Sequence, residues 1–314
     1  KENYEADRRL TLSSPIAMAF ESATSSALSV TAEERKATLE RLWEVGGFRF
    51  FFSSYNDIVV DPKANETIAE FMTGKIREIV RDPKVADLLC DFNHPVGTKR
   101  PALDTNYYQT FNRDNVSLVK IRGNPIKEVT ADGLTLENGD HYQLDAIVFA
   151  TGFDAITGTI LKLNLHGKGG QPLTQKWSDG PHTYLGMCSA GFPNLFMITG
   201  PGGPGTLTNF PVCIEQNVNW ITDTIENMRK TGAVEIEATP EAEADWGRMI
   251  AEDADKTLLP SIDSWYTGAN IPGKPRVFTA YFGGMPAFAE ACADVAANGC
   301  KGFTLRTRET VDAD

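Results

Sequence analysis

Asp145-Ala-Ile-Val-Phe-Ala-Thr-Gly-Phe-Asp154 holds four apolar residues in a row, Ile147 to Ala150, stopped by Thr151-Gly152. An uninterrupted apolar run ending at a glycine turn reads as a short strand buried on both faces. Ahead of it lies a hairpin pattern. Leu134 and Leu136 alternate with polar neighbours, Asn138-Gly139 supplies a two-residue turn, and Tyr142 and Leu144 alternate again. Val116–Val119 and Pro125–Thr130 are two more short runs. Downstream, Phe192-Pro-Asn-Leu-Phe-Met-Ile-Thr199 is a second candidate for a buried strand, and it closes on a glycine-rich turn.

Outside these segments the signals are helical. Thr31-Ala-Glu-Glu34 is a capping box, and Leu39, Leu42 and Trp43 follow as an apolar face. Asp61-Pro62 and Asp82-Pro83 each place a capping carboxylate before a proline at the first helical position. Ile68, Phe71, Met72, Ile76, Ile79 and Val80 recur at helical spacing, as do Ile214, Val218, Ile221, Ile225 and Met228. The second series predicts a long helix ending near Gly232. Residues 240–259 and the alanine-rich stretch 286–298 read as two more helices, whereas 264–282 is irregular and rich in glycine, proline and aromatics.

The chain has 314 residues, 41% hydrophobic and 23% charged, with a net charge of -12. Length and composition suit a globular protein of two or three compact units. The acidic balance excludes a nucleic-acid or anionic-membrane surface, so any local cluster of cations is informative. The five cysteines (Cys90, Cys188, Cys213, Cys292, Cys300) form no C-x-x-C pair, and the four histidines show no ligand spacing. Reduced thiols, a cytoplasmic location and no metal site are the expectation. No apolar run is long enough to span a bilayer. Lys1-Glu-Asn-Tyr4 has no initiator methionine and reads like the middle of a domain, as a processed or partial chain would.

Gly200-Pro-Gly-Gly-Pro-Gly205 satisfies the G-x-G-x-x-G pattern that cradles a pyrophosphate. Prolines at 201 and 204 remove two backbone donors from the loop that would have to supply them. No acidic strand end follows about 20 residues on. A tight turn into a helix, without pyrophosphate, is the better reading.

Three segments in this order, Lys99-Arg-Pro-Ala-Leu-Asp-Thr-Asn-Tyr-Tyr-Gln-Thr-Phe-Asn-Arg-Asp-Asn115, Asp145–Asp154 and Ser264-Trp-Tyr-Thr-Gly-Ala-Asn-Ile-Pro-Gly-Lys274, resemble Baeyer–Villiger monooxygenases of the phenylacetone and cyclohexanone type. The resemblance covers essentially the whole chain. It implies an α/β flavoprotein with two dinucleotide-binding domains, of which this chain resembles the C-terminal portion. On that template residues 1–98 resemble a helical insertion and 99–150 the returning part of the NADP domain. Residues 151–314 resemble the returning part of the FAD domain, with a cofactor and substrate loop at 264–282. The family's two N-terminal glycine-rich motifs, for FAD and NADPH, and the signature between them are absent. The chain by itself is therefore expected neither to hold FAD tightly nor to turn over. The missing N-terminal half of the enzyme is its expected partner.

The resemblance implies oxidation of a ketone to an ester or lactone with NADPH and dioxygen, through a peroxyflavin. Arg100 matches the family's catalytic arginine, a cation that stays charged at any working pH. Lys99 resembles the lysine at the 2′-phosphate of NADPH, and Trp265 the tryptophan at the nicotinamide–ribose end. Phe210 matches a position beside the flavin. Gly205, Thr206 and Leu207 match a loop walling the ketone pocket, in the longer, phenylacetone-type form, and glycine at 205 implies a wider pocket. Two other readings stay open: a related flavin monooxygenase oxidising nitrogen or sulfur, and a non-catalytic fragment with a structural or ligand-binding role.

Overall fold

A computed structural model describes residues 3–311. It divides into two compact units: residues 3–65 with 94–100 and 154–311, and residues 66–93 with 101–153. That division does not run along positions 98 and 150, because chain segments far apart in sequence meet in the first unit.

In the chain's order the principal helices are α1 (Tyr4–Ser13), α2 (Ala32–Val45), α3 (Pro62–Ile79), α4 (Pro83–Leu89), α5 (Phe210–Thr231), α6 (Pro240–Ala254) and α7 (Gly284–Ala297). The strands are β1 (Ile126–Thr130), β2 (Gly133–Leu136), β3 (His141–Gln143), β4 (Ala233–Ala238) and β5 (Phe303–Thr307). The start signals act as expected. Thr31 and Glu34 form the reciprocal capping box of α2. The Asp61 carboxylate accepts from the Lys63 amide at 2.7 Å, and Asp82 caps α4 through the Lys84 amide. Helix α5 ends where Gly232 takes φ +74°, a conformation glycine adopts without a Cβ clash.

The core of the larger unit gathers Trp220 of α5, Trp246 and Ile250 of α6, and Phe288 and Cys292 of α7 around Tyr184, Leu185 and Met187. The Trp220 indole donates to the Cys292 carbonyl at 3.0 Å, tying α5 to α7. Strands β4 and β5 pair antiparallel. Glu243 is buried but fully occupied: it accepts from Ser189 Oγ and the Ala190 amide at 2.9 Å and pairs with Lys176 at 2.6 Å. A buried carboxylate needs such partners to offset its lost hydration.

In the smaller unit Ile76, Val80 and Ala86 form a core with Leu89, Tyr108 and Phe111 around it. Strands β1, β2 and β3 form an antiparallel meander. The Asn138-Gly139 turn is present, closed by a 2.9 Å bond from the Leu136 amide to the Asp140 carbonyl.

Four sequence expectations fail here. Residues 146–150 are not a strand, and Val148 and Phe149 are 88% and 76% exposed. A strand persists only where a neighbouring backbone completes its ladder, and none of the described strands pairs with this run. Residues 192–199 are not a strand either. Pro193 and Asn194, the latter at φ +57°, turn the chain, and Thr199 turns it again at φ +53°. Phe192 and Met197 are nonetheless buried, whereas Ile198 is 50% exposed, so the apolar pattern reports burial in part and extension wrongly. The run 116–119 is likewise irregular, and helix α6 stops at Ala254, short of residue 259.

Candidate active site

Lys99 and Arg100 end a turn that a buried asparagine holds in place. Asn65 donates from Nδ2 to the Ile58 carbonyl at 2.6 Å and to the Val96 carbonyl at 2.8 Å, and its Oδ1 accepts from the Val96 amide at 2.9 Å. Thr98, with no exposed surface, donates its hydroxyl to the Pro95 carbonyl at 2.6 Å. Nothing about Asn65 in the sequence marks this task, because its partners lie seven and 31 positions away.

The turn delivers Arg100 onto two groups. One guanidinium nitrogen donates to the Thr206 carbonyl, and the guanidinium carbon lies 5.9 Å from the centre of the Trp265 ring. Trp265 stacks in turn on Tyr266, with ring centres 4.1 Å apart, and Tyr266 is buried against Phe278. A cation over an indole face is stabilised by the ring quadrupole and gives up one side of its water shell. Arg100, though exposed, is thereby held by two contacts. Thr206 Oγ1 and Ser264 Oγ, beside these contacts in the chain, are buried hydroxyls with no hydrogen-bond partner among the described residues. Lys99 is half-buried and makes no ion pair with a described residue.

The loop that carries Thr206 is rigid for reasons the glycine pattern conceals. The Gly202 amide donates to the Thr279 carbonyl at 2.7 Å and the Gly203 amide to the Gly200 carbonyl at 3.2 Å. The Trp246 indole donates to the Gly202 carbonyl at 3.0 Å. Thr183 donates its hydroxyl to the Pro201 carbonyl at 2.7 Å. Gly202 sits at φ +83°, and a Cβ on Gly186 would lie 2.3 Å from the Gly203 nitrogen. The Gly202 and Gly203 amides are thus committed to carbonyls of the protein itself.

A Cβ on Gly205 would lie 3.2 Å from the Thr199 Cβ and 3.7 Å from the Cys213 sulfur. Glycine there relieves packing against those side chains. Leu207 is half-buried at the end of the same turn, and Phe210, 41% exposed, opens α5. Of the residues singled out in the sequence, Arg100, Thr206 and Trp265 are brought into one cluster. Asn65 and Trp246, which hold that cluster's two supporting loops, were not foreseen.

No family model matches the chain. The chain is 41% identical over 311 residues to cyclohexanone 1,2-monooxygenase of an Acinetobacter species, covering 99% of itself and 56% of that protein. It is 42% identical over 300 residues to a Baeyer–Villiger monooxygenase of Pseudooceanicola batsensis, 95% of the chain and 54% of the relative. Phenazine N-monooxygenase of Lysobacter antibioticus is 41% identical over 308 residues, 98% of the chain and 56% of the relative. Among solved structures, a closed crystal structure of cyclohexanone monooxygenase superposes with a TM-score of 0.94 at 42% identity, over 98% of this chain and 57% of that one. The complex of OTEMO with FAD and NADP superposes with a TM-score of 0.93 at 35% identity, over 97% and 56%.

The chain is thus homologous over nearly its whole length to the Baeyer–Villiger monooxygenases, the class its motifs suggested, and it takes the fold of the matching part of the cyclohexanone enzyme. The α/β flavoprotein class expected from the sequence holds. The chain spans about half the length of the curated relatives it matches. No helix among the described residues is long and apolar enough to cross a membrane.

Proposed function

We propose that the protein containing this chain is an FAD- and NADPH-dependent Baeyer–Villiger monooxygenase that converts ketones to esters or lactones, and that Arg100 is its catalytic residue. The observation that carries the reading is Arg100 held by the Thr206 carbonyl against the Trp265 ring. When bound, the flavin and nicotinamide supply the electrons that activate dioxygen for insertion beside the carbonyl. The residues of this chain supply charge and position. Arg100 offers a fixed cation where negative charge develops, and a preoriented cation does this without reorganising at the moment of reaction. Lys99 makes no ion pair with a described residue and suits the 2′-phosphate of NADPH. Trp265 gives the ribose end an apolar face, and the orphaned hydroxyls of Thr206 and Ser264 are hydrogen-bonding groups that a bound molecule can satisfy. Gly205, Thr206 and Leu207 wall the ketone pocket, and Phe210 stands beside the flavin.

The remaining part of the enzyme supplies the cofactor cradles. It also covers the run 146–150, whose exposed Val148 and Phe149 carry the apolar signature of a buried strand. On this reading 1–98 is the family's helical insertion, and 99–150 and 151–314 are the returning parts of its NADP and FAD domains. The five free thiols suit a cytoplasmic location.

The test is ketone oxygenation by the whole flavoprotein, followed by mass spectrometry of the product. Arg100→Ala is expected to lower lactone or ester formation by about 10²–10³-fold with the fold retained, the usual cost of removing one preorganised donor. Undiminished product in that variant would reject the assignment. A second reading, oxidation at nitrogen, draws on the phenazine N-monooxygenase relative. N-oxide from an aromatic amine, with no ester from any ketone, would establish it instead.

A further inference from the structure

The loop 264–282 that carries Trp265 is fastened to a distant segment at one partly buried point. Lys274 Nζ lies 2.5 Å from Asp154 Oδ1 and 3.1 Å from the Ala155 carbonyl. The two side chains are only 16% and 35% exposed. Lys274 is sheltered while Asp154 stays partly in water, so the pair is worth more than a fully exposed one and less than a buried one.

The anchoring segment is itself unusual. Ile156 has φ +68°, a region that β-branched residues avoid. The Thr157 amide folds back onto the Ala155 carbonyl at 2.8 Å, closing a γ-turn of the rare, strained kind. The Ala155 carbonyl thus accepts from the turn and from Lys274 together. Backbone strain of this sort persists only where the surroundings over-determine it.

The loop transmits the fastening to Trp265. Its two limbs touch: a Cβ on Gly268 would lie 2.9 Å from the Pro275 carbonyl oxygen and 3.3 Å from Lys274 Cδ. The Gly268 carbonyl accepts from the Ile271 amide, and the Ile271 carbonyl accepts from the Lys274 amide, both at 3.2 Å. Ile156, Thr157, Trp177, Trp265 and Lys274 all line one small cavity of about 40 Å³. Lys274 and Trp265 are therefore two ends of one short, internally bonded arch.

We propose that the Asp154–Lys274 pair is a latch that sets the position of Trp265, so that Asp154 and Lys274 are positioning residues for the nucleotide-facing side of the site. This deepens the monooxygenase reading and rests on it for the identity of the nucleotide. Releasing the latch loosens the arch and withdraws the ring from Arg100.

The experiment uses the whole flavoprotein with Asp154→Asn, Lys274→Met, the exchanged pair Asp154→Lys with Lys274→Asp, and Asp263→Asn as control. Asp263 removes the loop's other ion pair, with Arg276, which is largely solvent-exposed. Two readouts are taken: the rate of tryptic cleavage after Arg276 without nucleotide, and the dissociation constant of NADP+. Trypsin spares Lys274 because proline follows it.

Each single latch variant is expected to speed cleavage and weaken NADP+ by about three- to tenfold, between the scales of an exposed and a buried pair. The NADPH KM should rise with kcat within about threefold. The exchanged pair should recover most of both effects, and Asp263→Asn should show neither. Cleavage unchanged in both single variants overturns the latch. So does an exchanged pair that melts like the wild type yet recovers nothing. If the single variants do not fold, Lys274→Arg keeps the charge and must cleave like the wild type. A wild-type protein that binds no NADP+ defeats the monooxygenase reading instead, and the cleavage rates still decide the latch.

Discussion

Replacing Trp246 by phenylalanine strikes the site from behind, through the loop that holds Thr206. The Trp246 ring is 7% exposed, lies parallel to Tyr281 with centres 5.3 Å apart, and meets Phe288 at 6.3 Å. Phenylalanine keeps part of the stack but loses the indole N–H, which leaves the buried Gly202 carbonyl without that donor. An acceptor stranded in the interior costs about 1–3 kcal/mol. The lost part of the stack and the space left by the smaller ring add roughly 1 kcal/mol. A total of about 2–4 kcal/mol corresponds to a fall in Tm of roughly 2–6 °C for a protein of this size or up to twice as long. Differential scanning calorimetry of the whole protein measures it. Arg100 takes its bearing from the Thr206 carbonyl four residues beyond Gly202. Ketone turnover well below the melting point should therefore fall as well, by a few-fold. A Tm within 1 °C of the wild type would refute the claim that the indole hydrogen bond holds the glycine turn.

Lys99→Ala should raise the KM for NADPH by about tenfold and leave that for NADH nearly unchanged, since one charge-assisted contact to a phosphate is lost. Equal losses would remove Lys99 from the 2′-phosphate. Val148→Asp should sharply reduce the yield and Tm of the whole protein, because it buries a charge where the remaining part of the enzyme is proposed to pack. A change within about 0.5 kcal/mol would mean that the run stays in water. Burial pushes the Cys292 thiol up to about 12 and Cys213 up to about 11, from an ordinary value of 9.0. These thiols stay protonated in the folded protein but ionise once unfolded. The stability they confer is thus complete below pH 9 and is lost as pH rises through their folded values. Melting followed from pH 8 to 11 should show that decline, and native labelling at pH 8 should modify the half-buried Cys90 first.

The local chemistry of this protein can be read directly from its sequence. Thr31–Glu34, Asp61-Pro62, Asp82-Pro83 and Asn138-Gly139 act through neighbours within a few residues, so their signals survive without a fold around them. The amphipathic series of α5 works the same way, since a helix satisfies its own backbone. The prolines of the 200–205 turn likewise remove two backbone donors whatever surrounds them. A strand is different. The run 147–150 and the segment 192–199 are apolar enough to be strands, yet their state depends on a backbone neighbour that composition cannot supply.

The site divides along the same line. Lys99, Arg100, Thr206 and Trp265 were marked by sequence, because a cation pair in an acidic chain and a tryptophan set among glycines are local facts that match a known family. That Arg100 lies on the Trp265 ring and the Thr206 carbonyl, across more than a hundred residues, belongs to tertiary structure alone. So do the supports: Asn65 under the Lys99–Arg100 turn, Trp246 under the glycine turn, and Lys274 on Asp154. Their side chains are ordinary in sequence and act only through partners that folding brings within hydrogen-bond reach.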